Sequence, residues 1–147
     1  MNGFLALWIP QLPLQALRWA ETAAPARSQA VLPHAVVEEC GPAAVRVVVA
    51  ADARARNQGV ENGLTEVQAR LRATKLIAQA RDRWREQRLQ CWLDGQLDSV
   101  SDRRQWLPPS RWLLHLAGLE RLLGGEEVIA RGLRARLCAA RLRPALG

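Results

Sequence analysis

The run from Val45 to Arg70, VRVVVAADARARNQGVENGLTEVQAR, constrains the fold more than any other part of the chain. Val45, Val47 and Val49 alternate with Arg46 and Val48, and a β-branched run of this kind suits a largely buried strand. Ala51 to Gln58 is alanine-rich, carries Arg54 and Arg56, and reads as a short basic helix. Gly59 ends it, as a helix C-terminus prefers. Asn62-Gly63 is a turn signal. Thr65-Glu66-Val67-Gln68 fits a capping box, where the Thr hydroxyl and the Gln side chain satisfy orphan amides at a helix start. A strand, a short helix, a glycine turn and a second helix are therefore expected in this order.

The rest of the chain continues an α+β pattern. Phe4 to Ile9 reads as a strand ended by Pro10, and Leu12 to Glu21 as a helix with Pro13 in its first turn, where proline is tolerated. Thr22 to Ala30 is a small-residue loop. His34 to Glu38 and Ala44 to Ala50 form a hairpin around Gly41-Pro42. Lys75 to Ala80 fits either a strand or a continued helix. Asp82 can cap a helix reaching about Leu93, with a turn at Asp94-Gly95. Gln96 to Ser110 has no clear period, and Pro108-Pro109 argues against regular structure there. Trp112 to Leu116 is a strand. Glu126 to Arg143 is the best-defined helix. Ile129, Leu133, Leu137 and Ala140 form its apolar stripe, Glu126 and Glu127 suit the positive end of its dipole, and Pro144 stops it.

Composition narrows the function classes. The chain has 147 residues, about one domain, and 49% of them are hydrophobic, enough to bury a core. No run approaches the ~18 apolar residues of a membrane span, and no basic segment precedes the apolar N-terminus as in a secretion signal. Cys40, Cys91 and Cys138 are scattered and show no metal-ligand spacing, so they read as reduced thiols of a cytoplasmic protein. No Walker A, GxSxG or GxGxxG pattern occurs. The net charge of +7 and pI near 11.1 favour an anionic partner, nucleic acid first, although an arginine- and alanine-rich composition also follows from a GC-rich genome. The charge is almost all arginine, whose planar fork suits phosphate.

Three segments carry a family resemblance. The run from Val45 to Arg70 resembles the palm-to-fingers passage of Y-family (translesion) DNA polymerases, roughly AARxxGVxxGMxxxEAR. Trp112 to Arg136, WLLHLAGLERLLGGEEVIARGLRAR, resembles that family's palm strand and following helix. Phe4 to Leu17, FLALWIPQLPLQAL, resembles the opening of its catalytically degenerate, ImuB-type (UmuC-like) members. The three lie in the family's order, and about Leu71 to Arg111 matches poorly. The resemblance implies a truncated ferredoxin-like polymerase palm sheet, with Phe4 to Ile9 and Trp112 to Leu116 as adjacent strands, helices on one face and a small helical fingers insertion. It implies a palm at about 1–51 and 105–147, fingers at about 52–104, and no thumb or little finger. The family's palm has another strand after the helix at Glu126, so an unpaired sheet edge is expected where this chain stops.

Nucleotide addition needs two metal ions held by carboxylates. The resembling palms supply these from VDxDxFFAxVE and SxDExxLD. Here Trp8 falls on the metal-binding Asp, Pro10 on the second Asp, Ser110 and Arg111 on the Asp-Glu pair, and His115 on the Asp of LD. Between Arg103 and Leu119 there is no Asp or Glu. Arg56 falls on the family's phosphate-binding Arg, Ala53 on a triphosphate-contacting Tyr, and Leu12 or Pro13 on the sugar gate.

The reading is a non-catalytic accessory protein of DNA repair and translesion synthesis in SOS mutagenesis, with no cofactor and no bound metal. Its alternatives are a divergent or residual nucleotidyltransferase, or a truncated remnant with no activity. Arg54, Arg56, Arg70 and Arg72 are the candidate phosphate or DNA contacts, or else a solvated basic face. By resemblance the partners are DNA, bound weakly and without sequence preference, the sliding clamp, an error-prone polymerase and a RecA-like accessory protein, with nucleoid association when engaged. Trp8 and Trp112 are expected in the core and Trp84 exposed. Gln11-Leu12-Pro13-Leu14 faintly resembles a sliding-clamp peptide.

Overall fold

The computed structural model describes residues 3–19 and 32–147. In chain order the elements are β1 (Phe4–Trp8), α1 (Leu12–Arg18), β2 (His34–Cys40), β3 (Val45–Ala51), α2 (Ala53–Asn57) and α3 (Glu66–Arg72). There follow β4 (Ile77–Ala80), α4 (Arg83–Asp98), β5 (Arg104–Leu107), β6 (Arg111–His115), α5 (Glu120–Leu123), α6 (Glu126–Ala139) and β7 (Ala145–Leu146). The fold is α+β, as expected. By packing, the described residues form two compact units, one from residues 3–10, 18–19 and 87–147, the other from residues 11–17 and 32–86. The second unit packs on its own because β2 and β3 pair with β4 in a sheet of their own.

The first unit is built on an antiparallel sheet of order β5-β6-β1-β7. Its central pair, β1 and β6, comes from segments about a hundred positions apart in sequence, and their adjacency was expected. Period-two alternation sorts the side chains. Leu5, Leu7, Trp112 and Leu114 are buried on one face, while Phe4, Ala6 and Trp8 of β1 are exposed on the other. The covered face meets α4, where the Trp112 indole Nε1 donates to Asp94 Oδ1 at 3.0 Å and Arg104 pairs with Asp98. One covered and one open face is the usual state of an antiparallel sheet.

Four expectations fail in this unit. Asp94-Gly95 does not turn; it lies inside α4. A glycine in a helix interior costs about 1 kcal/mol relative to alanine, and the full burial of Leu89, Leu93 and Leu97 at four-residue spacing outweighs it. Gln96 to Ser110 is not irregular throughout: Arg104–Leu107 pairs with β6 as an edge strand, and the prolines are confined to the turn after it. The helix from Glu126 stops at Ala139, ahead of the expected Arg143, with Arg141 at φ 65°. The chain then extends as β7, which pairs Leu146 with Leu7 and Ala145 with Trp8. The edge expected to be unpaired is therefore covered along Leu7 and Trp8.

The second unit holds the sheet β3-β2-β4, with β2 and β3 antiparallel and β2 and β4 parallel. The ambiguous segment near Lys75 is thus a strand. Ala35, Val37, Val48, Ala51, Ala55, Val60, Ala69, Ala73 and Leu76 form its core. The many alanines let α2 and α3 approach the sheet closely. Leu14, Val36 and Ala50 form a second cluster. The expected helix from Leu12 is described to Arg18, and the loop expected at Thr22 to Ala30 lies outside the described residues.

Candidate nucleic-acid interfaces

The β1–β6 register decides what occupies the candidate metal position. It pairs Trp8 with Arg111, Ala6 with Leu113 and Phe4 with His115, so these six residues share the open face. The Ile9 amide donates to the Ser110 carbonyl at 2.9 Å, and Ser110 itself is buried. The Arg111 guanidinium carbon lies 5.3 Å from the centroid of the Trp8 ring, within cation–π range. Trp8, Ser110 and Arg111 are thus brought together, as the resemblance implies. Trp8, however, is not a core residue, since 42% of its surface is exposed. It sits on the uncovered face because strand alternation gives the covered face to Leu7. Trp112 is buried and Trp84 exposed, as expected.

These side chains do not fit a divalent cation. Magnesium takes about six oxygen ligands in near-octahedral geometry. The position offers an indole, a buried hydroxyl and a guanidinium whose charge opposes a cation. Among the described residues no group of three His, Cys, Asp or Glu side chains gathers anywhere.

The second candidate lies on α2 and α3. Asp52 caps α2, its carboxylate accepting from the Ala55 amide at 2.8 Å. At α3 the capping box is complete: Gln68 N–H donates to Thr65 Oγ1 at 3.2 Å and Thr65 N–H donates to Gln68 Oε1 at 3.0 Å. Arg54 and Arg56 are exposed on α2. Arg70 and Arg72 are exposed as well, and both serve internal acceptors. Arg70 donates to Glu66 and to the Leu76 carbonyl, and Arg72 donates to the Gly59 carbonyl at 2.7 Å. Glu66 also takes Arg46 at 2.9 Å. Arg72 nevertheless brings its charge to Gly59, two residues past the C-terminal end of α2.

Sequence reasoning missed two features. One is the ion-pair network at the start of α4, where Arg81 holds Glu86 at 2.8 Å and Glu38 at 3.0 Å, and Arg83 holds Glu38 at 2.6 Å. The Arg83 hydrogen bond, with Arg81 behind it, holds the Glu38 carboxyl below its ordinary value. The hydrogen bond to Glu86 raises Arg81. The other is Phe4, which the period-two spacing from Trp8 already places on the open face. The clamp-like Gln11 to Leu14 is built into the fold: Leu12 and Leu14 are buried, and Gln11 Oε1 accepts from the Ala51 amide at 3.1 Å.

No protein-family model and no curated protein matches the chain. Solved structures do. An insertion ternary complex of Dbh DNA polymerase is similar at 17% identity with a TM-score of 0.78, covering 98% of this chain and 41% of that one. DinB from Sulfolobus solfataricus is similar at 16% identity with a TM-score of 0.80 and the same coverages. A Y-family DNA polymerase chimera is similar at 16% identity with a TM-score of 0.73. The chain therefore has a Y-family polymerase-like fold and spans 41% of the length of these polymerases.

Proposed function

We propose that this chain is a non-catalytic, ImuB-type accessory protein of DNA-damage tolerance. In this reading the unit built on β1 and β6 is the palm and the unit carrying α2 and α3 is the fingers. DNA is the partner, contacted through Arg54 and Arg56 on α2, with Arg72 at Gly59 just past that helix. The sliding clamp, an error-prone polymerase and a RecA-like protein are the partners that the resemblance adds. The carrying observation is the register that sets Trp8 opposite Arg111 beside Ser110. A palm in this state has lost both the ligands and the negative potential that two-metal phosphoryl transfer requires.

A divergent nucleotidyltransferase is the rival, favoured by the polymerase-like fold. Primer extension by the purified chain with magnesium or manganese separates the two. The expected result is no product above a protein-free control. Extension that disappears when a residue of this chain is mutated overturns the proposal.

A further inference from the structure

The open face of the β5-β6-β1-β7 sheet has a chemistry of its own. Phe4 and Trp8 are 44% and 42% exposed there. The β5–β6 register adds Gln105 beside Leu113 and Leu107 beside Arg111, so the face carries aromatic, aliphatic and hydrogen-bond-donating groups. None of the four strands contains an Asp or Glu. At the Phe4 end a shallow pocket of about 300 Å³ is lined by Phe4, Arg103, Arg104, Gln105, Leu113 and His115. The Phe4 and His115 rings meet edge to face at 4.8 Å, and His115 Nδ1 is buried without a hydrogen-bond partner among the described residues.

We infer that this face is a stacking platform for single-stranded nucleic acid, with unpaired bases on Trp8 and in the Phe4 pocket and phosphates beside Arg111 and Arg103. Exposed aromatic rings on an open sheet reach the flat faces of bases only where the bases are not already stacked in a duplex. Phe4 and Trp8 are four residues apart on one strand, about 13 Å at ~3.3 Å per residue. That is about four times the ~3.4 Å rise of stacked bases on a duplex strand, so the two rings engage different nucleotides. Arg111 over the indole keeps a cation at the strand's backbone, where the resembling palms hold metal. A protein partner fits less well, because the charged side chains of the face are all cations, which suit a run of phosphates. The inference deepens the DNA partnership proposed above and does not depend on the absence of catalysis.

The test uses the full chain and fluorescence anisotropy with two probes at low salt: oligothymidine of about 12 nucleotides, within the ~4–16 nucleotide span of single-strand sites, and a duplex of equal length. Trp8→Ala is expected to weaken oligothymidine binding about tenfold, the loss of one base–aromatic stack. Trp8→Phe retains most of the affinity, and Phe4→Ala weakens the same probe. Arg56→Ala weakens both probes alike. Circular dichroism checks that the exposed substitutions leave the fold intact. Equal oligothymidine affinity for the wild type and Trp8→Ala overturns the platform. Binding of duplex but not oligothymidine also overturns it, while leaving the DNA-contacting accessory reading standing. Primer extension tests the non-catalytic part of that reading separately.

Discussion

Thr65→Ala isolates one helix cap whose sequence signature and geometry agree. The Thr65 hydroxyl accepts from Gln68 N–H at 3.2 Å, and the Gln68 side chain accepts from Thr65 N–H at 3.0 Å. Removing the hydroxyl orphans the Gln68 amide at a helix end, a change worth about 1 kcal/mol. It also loosens the Gln68 side chain, whose bond to Thr65 N–H the first contact helps to orient. Both bonds are exposed, so water recovers part of the loss and holds the total near that figure. For a chain of this size 1 kcal/mol corresponds to a fall in Tm of roughly 2–4 °C. Urea unfolding followed by circular dichroism measures the change in midpoint at constant m. Thr65→Ser is expected to match the wild type, because serine caps as well as threonine. Adding Gln68→Ala to Thr65→Ala is expected to cost less than the sum of the two single changes, since the pair acts reciprocally. A neutral Thr65→Ala, or a Thr65→Ser as destabilised as Thr65→Ala, refutes the cap as the cause.

Leu133→Ala in α6 removes a fully buried side chain and is expected to cost about 3 kcal/mol by chemical denaturation, while Arg134→Ala on the exposed side stays within about 0.5 kcal/mol. Glu38 has a folded carboxyl value lowered by Arg83 and Arg81, so its ionisation favours the folded state. That contribution is fully present above the ordinary value of 4.5 and is lost as pH falls through the lower folded value. Glu38→Gln should therefore flatten the acid limb of a stability–pH profile measured by thermal unfolding. Duplex binding is expected to be no tighter than ~10⁻⁴ to 10⁻⁶ M, and log K should fall with log salt at about −0.9 per phosphate contact. An affinity indifferent to salt would remove Arg54 and Arg56 as phosphate contacts.

The features legible in the sequence were those decided by neighbours a few positions apart. The capping box at Thr65, the helix stop at Gly59, the hairpin between His34 and Ala51 and the stripe Ile129-Leu133-Leu137 each follow from local backbone preference or side-chain period. The resemblance added one long-range fact, the adjacency of β1 and β6, and so the meeting of Trp8, Ser110 and Arg111. Tertiary structure decided the rest. Gly95 is helical because three leucines of α4 are buried. Arg104–Leu107 is a strand because β6 offers it an edge. Trp8 is exposed because strand alternation gives Leu7 the covered face, and composition alone cannot say which face a helix will cover. Arg70 and Arg72 looked like free cations but hold Glu66, Leu76 and Gly59, since a guanidinium's five donors take whatever carbonyl or carboxylate the fold brings near. Short-range preferences are written residue by residue, whereas the partner of a buried face or a long side chain exists only after distant segments have packed.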